Sequence, residues 1–98
     1  MFPAKKDEPI SAEEKTWFVY VVECNDGSFY TGITNDLERR CKEHNEGTAS
    51  RYTRSRRPVT MRYHEHCDSR SHALIRECSV KLLSRKQKLE LVNTAKNG

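Results

Sequence analysis

Arg40 and His44 stand four residues apart in a stretch that reads as helix, so they stack on one face. At the edge of a core such a pair can bind and polarise a phosphate. Equally, the arginine stem can cover apolar surface and the imidazole can sit near a helix C-terminus, where the dipole favours it. Glu77 falls on the flank of a later helical stripe. A single carboxylate there can hold Mg²⁺ when waters and substrate phosphates complete the shell, or it can pair with Lys81 one turn on. Tyr20 and Tyr30 lie in two short strand-like runs. Strand tyrosines commonly pack with a wet hydroxyl, but a hairpin joining the runs brings both hydroxyls near the start of the first helix. His64 and His66, with Cys67 following, suggest metal ligation but lack a fourth ligand at a sensible spacing.

Charge is concentrated around these groups. Between Arg39 and Arg62 eight Lys or Arg face two acids, and between Lys81 and Lys96 five face one. Two basic clusters on a small domain form an electrostatic footprint for a polyphosphate backbone, or a solvated surface that aids solubility. In the stretch Arg51, Arg54, Arg56, Arg57, arginine outnumbers lysine, and its fork matches phosphate oxygens. Tyr52 in the same stretch either stacks on a base or anchors the loop.

The elements that must position these residues follow from pattern. Trp17–Val22 is a β-branched and aromatic run of strand length. Asn25-Asp26-Gly27 is a strong hairpin signal, and Ser28–Thr31 returns as a second strand ending at Gly32. Thr34-Asn35-Asp36 offers N-caps for a helix from Leu37 to Glu46, closed by Gly47. Leu37 and Cys41 mark its expected buried stripe. Thr48–Arg57 has no periodicity and reads as an exposed basic loop. Pro58–His66 alternates as a third strand, Asp68 or Ser69 caps a helix from about Arg70 to Leu83, and a basic helix runs from Arg85 to about Val92. The expected buried stripe of the Arg70 helix is Leu74, Ile75, Cys78 and Leu82. The order β-β-α-β-α-α predicts an α+β domain with a small three-stranded sheet flanked by helices.

With 98 residues, 35% apolar and 33% charged, the chain allows one domain with a small core. No apolar run approaches the roughly 18 residues that cross a bilayer, and residues 1–15 lack a signal-peptide stretch, which excludes membrane and secreted readings. Those residues read as a loose tail, with Ser11–Glu14 matching a capping box. The four cysteines form no Cys-x-x-Cys clip and read as free thiols in a reducing cytoplasm, with Cys41 and Cys78 packing as small hydrophobes in helices.

As an ordered set, these residues resemble the GIY-YIG nuclease family. Phe18-Val19-Tyr20 stands as the first motif and Tyr30-Thr31-Gly32 as the second. Asn35 to Arg40 with Cys41-Lys42-Glu43-His44 is similar to the family's helix carrying arginine and histidine, and Glu77 lies where the family places its metal-binding glutamate. Small single-domain bacterial members read much like Tyr30–Thr34, Glu38–Arg40 and Leu83–Lys86, so the resemblance covers about residues 16–92. Phe18 and Val19 replace the usual glycine and isoleucine. Ile33 stands where some relatives carry a phosphate-contacting lysine, a role Arg39 or a loop arginine can take. Asn93 is the one counterpart of an asparagine that some relatives place near the metal.

The resemblance implies a three-stranded antiparallel sheet with flanking helices, a nuclease domain over residues 16–98, and phosphodiester hydrolysis of DNA, structure-dependent or non-specific, in repair or recombination. It implies one divalent ion, Mg²⁺ or Mn²⁺, on Glu77. Tyr20 is then the base toward water, Tyr30 orients water or phosphate, and Arg40 neutralises charge on phosphorus. Arg40 and His44 help stabilise the Tyr20 anion. Gly32, Arg39, Arg51, Arg54, Arg56 and Arg57 are the expected substrate-binding residues. The expected partner is DNA, branched or single-stranded. A catalytically weak nucleic-acid-binding module of the same fold is the alternative.

Overall fold

A computed structural model describes residues 16–97, with side chains through Thr94. The expected tail and the Ser11–Glu14 capping box lie outside the described residues. The elements are β1 (Trp17–Glu23), β2 (Phe29–Thr34), α1 (Leu37–Glu46), α2 (Arg51–Arg54), β3 (Thr60–Cys67), α3 (Arg70–Lys81) and α4 (Arg85–Asn97). The strands form one antiparallel sheet in the order β2-β1-β3. This is the expected α+β arrangement of a three-stranded sheet with flanking helices, with one helical turn added.

Side chains alternate across a strand, so β1 serves two cores. Val19 and Val21 face α3 and α4, packing with Cys67, Ala73, Val80 and Val92. Tyr20 and Val22 face the other way, with Cys24, Val59, Tyr30, Leu37 and Met61. The β1–β3 pairing slips between Val21 and Val22, because Val21 faces Tyr63 while Val22 faces Met61. Arg62, skipped by that slip, reaches Glu23 as an ion pair.

Local chemistry sets the boundaries. Gly27 takes φ 86° in the β1–β2 turn, a conformation that favours glycine. The turn is tied by Asp26, whose Oδ1 accepts from the Ser28 amide and hydroxyl. Asp36 caps α1 by accepting from the Arg39 amide, and Gly47 closes it at φ 85°. β3 starts at Thr60 rather than Pro58 because Asn45 satisfies the backbone of Val59. Its Oδ1 accepts from the Val59 amide at 2.7 Å and its amide donates to the Val59 carbonyl at 3.1 Å. At the start of α4, Ser84 and Gln87 form a capping box, with the Gln87 amide bonded to Ser84 Oγ and the Ser84 amide to Gln87 Oε1.

Three expectations are overturned. The Thr48–Arg57 stretch is not wholly loop, since Ser50 Oγ accepts from the Thr53 amide and caps the turn α2. In α1, Leu37 and Cys41 are only half-buried, and the one fully buried residue is His44, 1% exposed. In α3, the expected stripe faces outward: Ile75 is 66% and Leu82 80% exposed, with Leu74 and Cys78 also exposed. Ala73 and Val80 instead meet the sheet. Arg76 locks this rotation, its Nε and Nη2 donating to both oxygens of Glu65 on β3 at 2.6 and 3.1 Å. The small Ala73 allows close approach, and the fork on Glu65 cannot form with the large apolar face inward.

Candidate active site

The rotation of α3 has a direct effect on Glu77. At roughly 100° per residue, Glu77 lies about 40° from the direction of Ala73 and about 60° from that of Val80, on the inner side of the helix. Its side chain is 18% exposed and pairs with Lys81 Nζ at 3.2 Å.

On the other face of β1, Tyr20 and Gly32 are cross-strand partners. A Cβ on Gly32 would lie 2.6 Å from Tyr20 Oη and 2.8 Å from Cζ. The second motif therefore ends in glycine so that the phenol can lie across the neighbouring strand. There Tyr20 Oη meets His44 Nε2 at 2.7 Å in the interior. The His44 ring lies edge-on to both tyrosines, with centroids 5.6 Å from Tyr20 and 5.3 Å from Tyr30.

Burial and electrostatics keep both partners uncharged. The Tyr20 phenol is pushed well above its ordinary range, first by burial and then by Tyr30, with Glu77 and Glu43 adding to the shift and Arg40 opposing it. His44 is held below the usual histidine range by burial and by the Arg40 guanidinium, against a pull from Glu43. Tyr30, Arg40 and Glu77 are thus all within electrostatic reach of one phenol. Arg40 is tied by Nη1 to Glu43 Oε1 at 3.1 Å.

Two participants escaped the sequence reading. His44 Nδ1 lies 2.8 Å from Oγ1 of the fully buried Thr53, which in turn lies 3.0 Å from Ser50 Oγ. The Ser50-x-x-Thr53 spacing is an N-cap signal that could have revealed α2.

The arginines separate into two groups. Arg56 donates from Nε to Asp26 Oδ2 at 3.1 Å and from Nη1 to the Tyr52 carbonyl at 2.8 Å. Its guanidinium also covers the Tyr52 ring at 3.9 Å, while the other ring partner is Tyr30, stacked at 6.0 Å. Tyr52 is thereby the loop anchor rather than an open platform for a base. Arg57 donates to the carbonyls of Arg54 and Asn45. Arg39 bonds Asn35 and lies near Glu43. Arg51 and Arg54 are exposed, and among the described residues no ion pair engages them. A hollow of about 660 Å³ opens beside Arg54, lined also by Asn45, Ser55, Arg57 and Pro58.

His64 and His66 flank Phe18 edge-on, and Cys67 is buried in the opposite core. Among the described residues no group of three His, Cys, Asp or Glu could hold a metal. A closed protein cage is therefore not the form a metal site would take here. The donor set at Glu77 is one hard carboxylate, which fits Mg²⁺ or Mn²⁺ completed by water and phosphate oxygens. Asn93 lies exposed on α4, whose packing is against β3.

The sequence pattern of the GIY-YIG catalytic domain matches residues 16–90. The chain belongs to the GIY-YIG family. A UPF0213 protein of Halobacterium salinarum is 56% identical over 70 residues, covering 71% of this chain and 91% of the relative. A UPF0213 protein of Desulfotalea psychrophila is 48% identical over 88% of this chain and 79% of its own. Among solved structures, a UPF0213 protein from Bacillus halodurans has TM-score 0.52 and 42% identity, covering 81% of this chain and 84% of that one. A protein from E. faecalis has TM-score 0.55 and 45% identity, covering 82% and 85%. GIY-YIG membership implies a nuclease-type function on a nucleic-acid substrate, and GIY-YIG nucleases generally use divalent metal ions. Among the described residues no helix is long and apolar enough to cross a membrane.

Proposed function

We propose that this GIY-YIG chain is a divalent-metal-dependent endonuclease hydrolysing DNA phosphodiester bonds, structure-dependent or non-specific, with residues 16–98 as its nuclease domain. The observation that carries the reading is the 2.7 Å contact between Tyr20 and a neutral, buried His44. A phenol with an ordinary pKa near ~10 is a poor base at neutral pH, and burial makes the free tyrosinate harder still to form. The bonded imidazole removes that difficulty. As the Tyr20 oxygen takes a proton from the attacking water, the hydroxyl proton it already carries passes to His44 Nε2. The hydroxide attacks phosphorus, the bond to the 3′ oxygen breaks, and that oxygen is protonated from solvent. The proton held on His44 returns through the Tyr20 oxygen to solvent, restoring the resting pair.

The other groups act on charge and position. Arg40 neutralises charge that grows on the phosphoryl oxygens, and Tyr30 orients water or phosphate beside His44. Glu77 is the residue that would hold Mg²⁺ or Mn²⁺. When bound, the ion supplies charge neutralisation at the leaving oxygen and at a phosphate oxygen. Gly32 gives the Tyr20 ring its place, and Arg39, Arg51 and Arg54 hold the DNA backbone. A branched or single-stranded substrate suits a role in repair or recombination, in the cytoplasm.

One observation favours the alternative, a nucleic-acid-binding module of the same fold that cleaves weakly: Lys81 already pairs with Glu77 and competes with a cation. The experiment separates them. Purified protein with Mg²⁺ or Mn²⁺ should nick plasmid or cut branched DNA, and Glu77→Ala should abolish cleavage with the circular dichroism spectrum intact. Cleavage that survives excess EDTA would refute the metal role. Salt-sensitive binding with no cleavage would establish the weak module.

A further inference from the structure

Resting on the same reading of the site, we propose that Thr53 is a positioning residue whose side-chain oxygen accepts the Nδ1 proton of His44 and so keeps Nε2 bare toward Tyr20. The relay from Tyr20 to His44 requires one direction along a continuous chain of hydrogen bonds. Tyr20 Oη, His44 Nε2, His44 Nδ1, Thr53 Oγ1 and Ser50 Oγ follow one another at 2.7, 2.8 and 3.0 Å across the side-chain contacts. A neutral imidazole carries one proton on its ring nitrogens. If that proton sat on Nε2, that nitrogen would donate to the Tyr20 oxygen and could not take the phenol's proton, so the relay from water through Tyr20 to His44 would be closed. With it on Nδ1, every link is satisfied. Tyr20 donates to Nε2, Nδ1 donates to Thr53, and the Thr53 hydroxyl donates to Ser50, at Oγ or at its carbonyl 3.5 Å away. A buried polar chain of this kind is satisfied in full or is costly.

Threonine suits the position in two respects. Its hydroxyl is neutral, so it selects a tautomer while leaving the imidazole uncharged at rest and free to accept a proton. A carboxylate in the same place would favour a ring already protonated on both nitrogens. Its backbone is fixed as well, because the Thr53 amide donates to Ser50 Oγ and the Arg56 amide donates to the Thr53 carbonyl. The proposal asks Thr53 to touch neither water nor phosphate, and its whole effect passes through His44.

The test uses full-length protein labelled with ¹⁵N-histidine, the His44 signals being identified by their loss in His44→Asn. Wild type should show a protonated Nδ1 and a bare Nε2 at His44. A protonated Nε2 would overturn the proposal whatever any variant does. Thr53→Val, which keeps shape but removes the acceptor, should move His44 toward the other tautomer. It should also lower kcat roughly 10- to 100-fold, part of what general acid–base catalysis supplies, with KM within about twofold. Thr53→Ser should restore both the tautomer and most of kcat, and Thr53→Ala serves if the valine variant does not fold. An unchanged tautomer in a folded Thr53→Val protein that cleaves DNA sinks the positioning role and leaves the nuclease reading standing. A shifted tautomer in a chain whose wild type cuts no DNA does the reverse.

Discussion

Tyr20 on β1 and Tyr63 on β3 belong to neighbouring strands but face opposite sides of the sheet, and both phenols are held protonated by their surroundings. The means differ. Tyr63 donates to Glu65 Oε1 at 2.5 Å, and burial together with that carboxylate pushes its pKa up to about 12. Glu65 is in turn held below its ordinary range, chiefly by Arg76. That cluster is saturated with charge: phenol, carboxylate and guanidinium each have a fixed role, and the product is a helix locked to a sheet. On the other face Tyr20 meets a neutral base whose one proton has a defined place, and no carboxylate bonds the pair. A phenol bound to a charged acceptor has nowhere useful to send its proton, whereas one bound to a neutral imidazole does. The difference lies in the partner's charge, not in burial.

The strongest way to break this comparison is to delete the two hydroxyls in turn. Tyr20→Phe should lower cleavage by roughly 10²- to 10⁴-fold, the range expected for loss of a general base, while the protein stays folded in thermal melts. Tyr63→Phe should leave cleavage within about threefold and instead lower stability by about 1.5–3 kcal/mol, as loss of a bond to a charged acceptor does. Equal losses of activity in the two variants would show that both faces serve the chemistry.

Acid unfolding sharpens the same contrast at intermediate size. His44 has a lowered pKa in the folded chain, so the unfolded chain binds its proton more readily. Its contribution is present at neutral pH and is lost as pH falls below the ordinary histidine value near ~6.5. Glu65, also lowered, contributes above the ordinary carboxylate value of 4.5 and loses that contribution as pH falls further. Urea midpoints against pH should therefore show two declines, the lower of which is flattened in Glu65→Gln. A Glu65→Gln curve that parallels wild type below pH 4.5 would exclude the clamp as its origin.

The smallest effects are expected among the arginines. Arg51→Ala and Arg54→Ala should each weaken DNA binding and reduce the salt slope by about one unit, as loss of one phosphate contact does. Arg56→Ala should change that slope little, because its guanidinium is occupied by Asp26 and Tyr52, and should loosen the loop instead. A slope reduced as much by Arg56→Ala as by Arg54→Ala would erase the distinction between free and engaged arginines.

Much of this was legible in the chain. Asn25-Asp26-Gly27, Asp36 and Gly47 act through their own backbone preferences, so the hairpin turn and both ends of α1 could be read locally. The GIY-YIG pattern likewise selected Tyr20, Tyr30, Arg40, His44 and Glu77, and Tyr20 and His44 are in direct contact. The rotation of α3 was not legible, because periodicity registers how apolar a residue is and not what it must touch. Leu74, Ile75, Cys78 and Leu82 outweigh Ala73 and Val80 on any such scale, yet the fork between Arg76 and Glu65, eleven positions apart, sets the orientation. Thr53 was hidden for a related reason: it stands between Tyr52 and Arg54 in an arginine-rich stretch, and its inward turn depends on the cap from Ser50.

Asn45 and Arg57 give the stretch between α1 and β3 a further property. Asn45 grips Val59 through both its amide and its carbonyl oxygen, Arg57 reaches back to the Asn45 carbonyl, and the Asn25 amide donates to the carbonyl of Arg56. Surface connections ordinarily absorb insertions and deletions with ease. This one is cinched at both ends with Thr53 midway, so it works as a ruler: one residue added or removed between Gly47 and Pro58 would shift the threonine out of register with the imidazole. Segment length there should be as tightly constrained as that of any strand in the sheet.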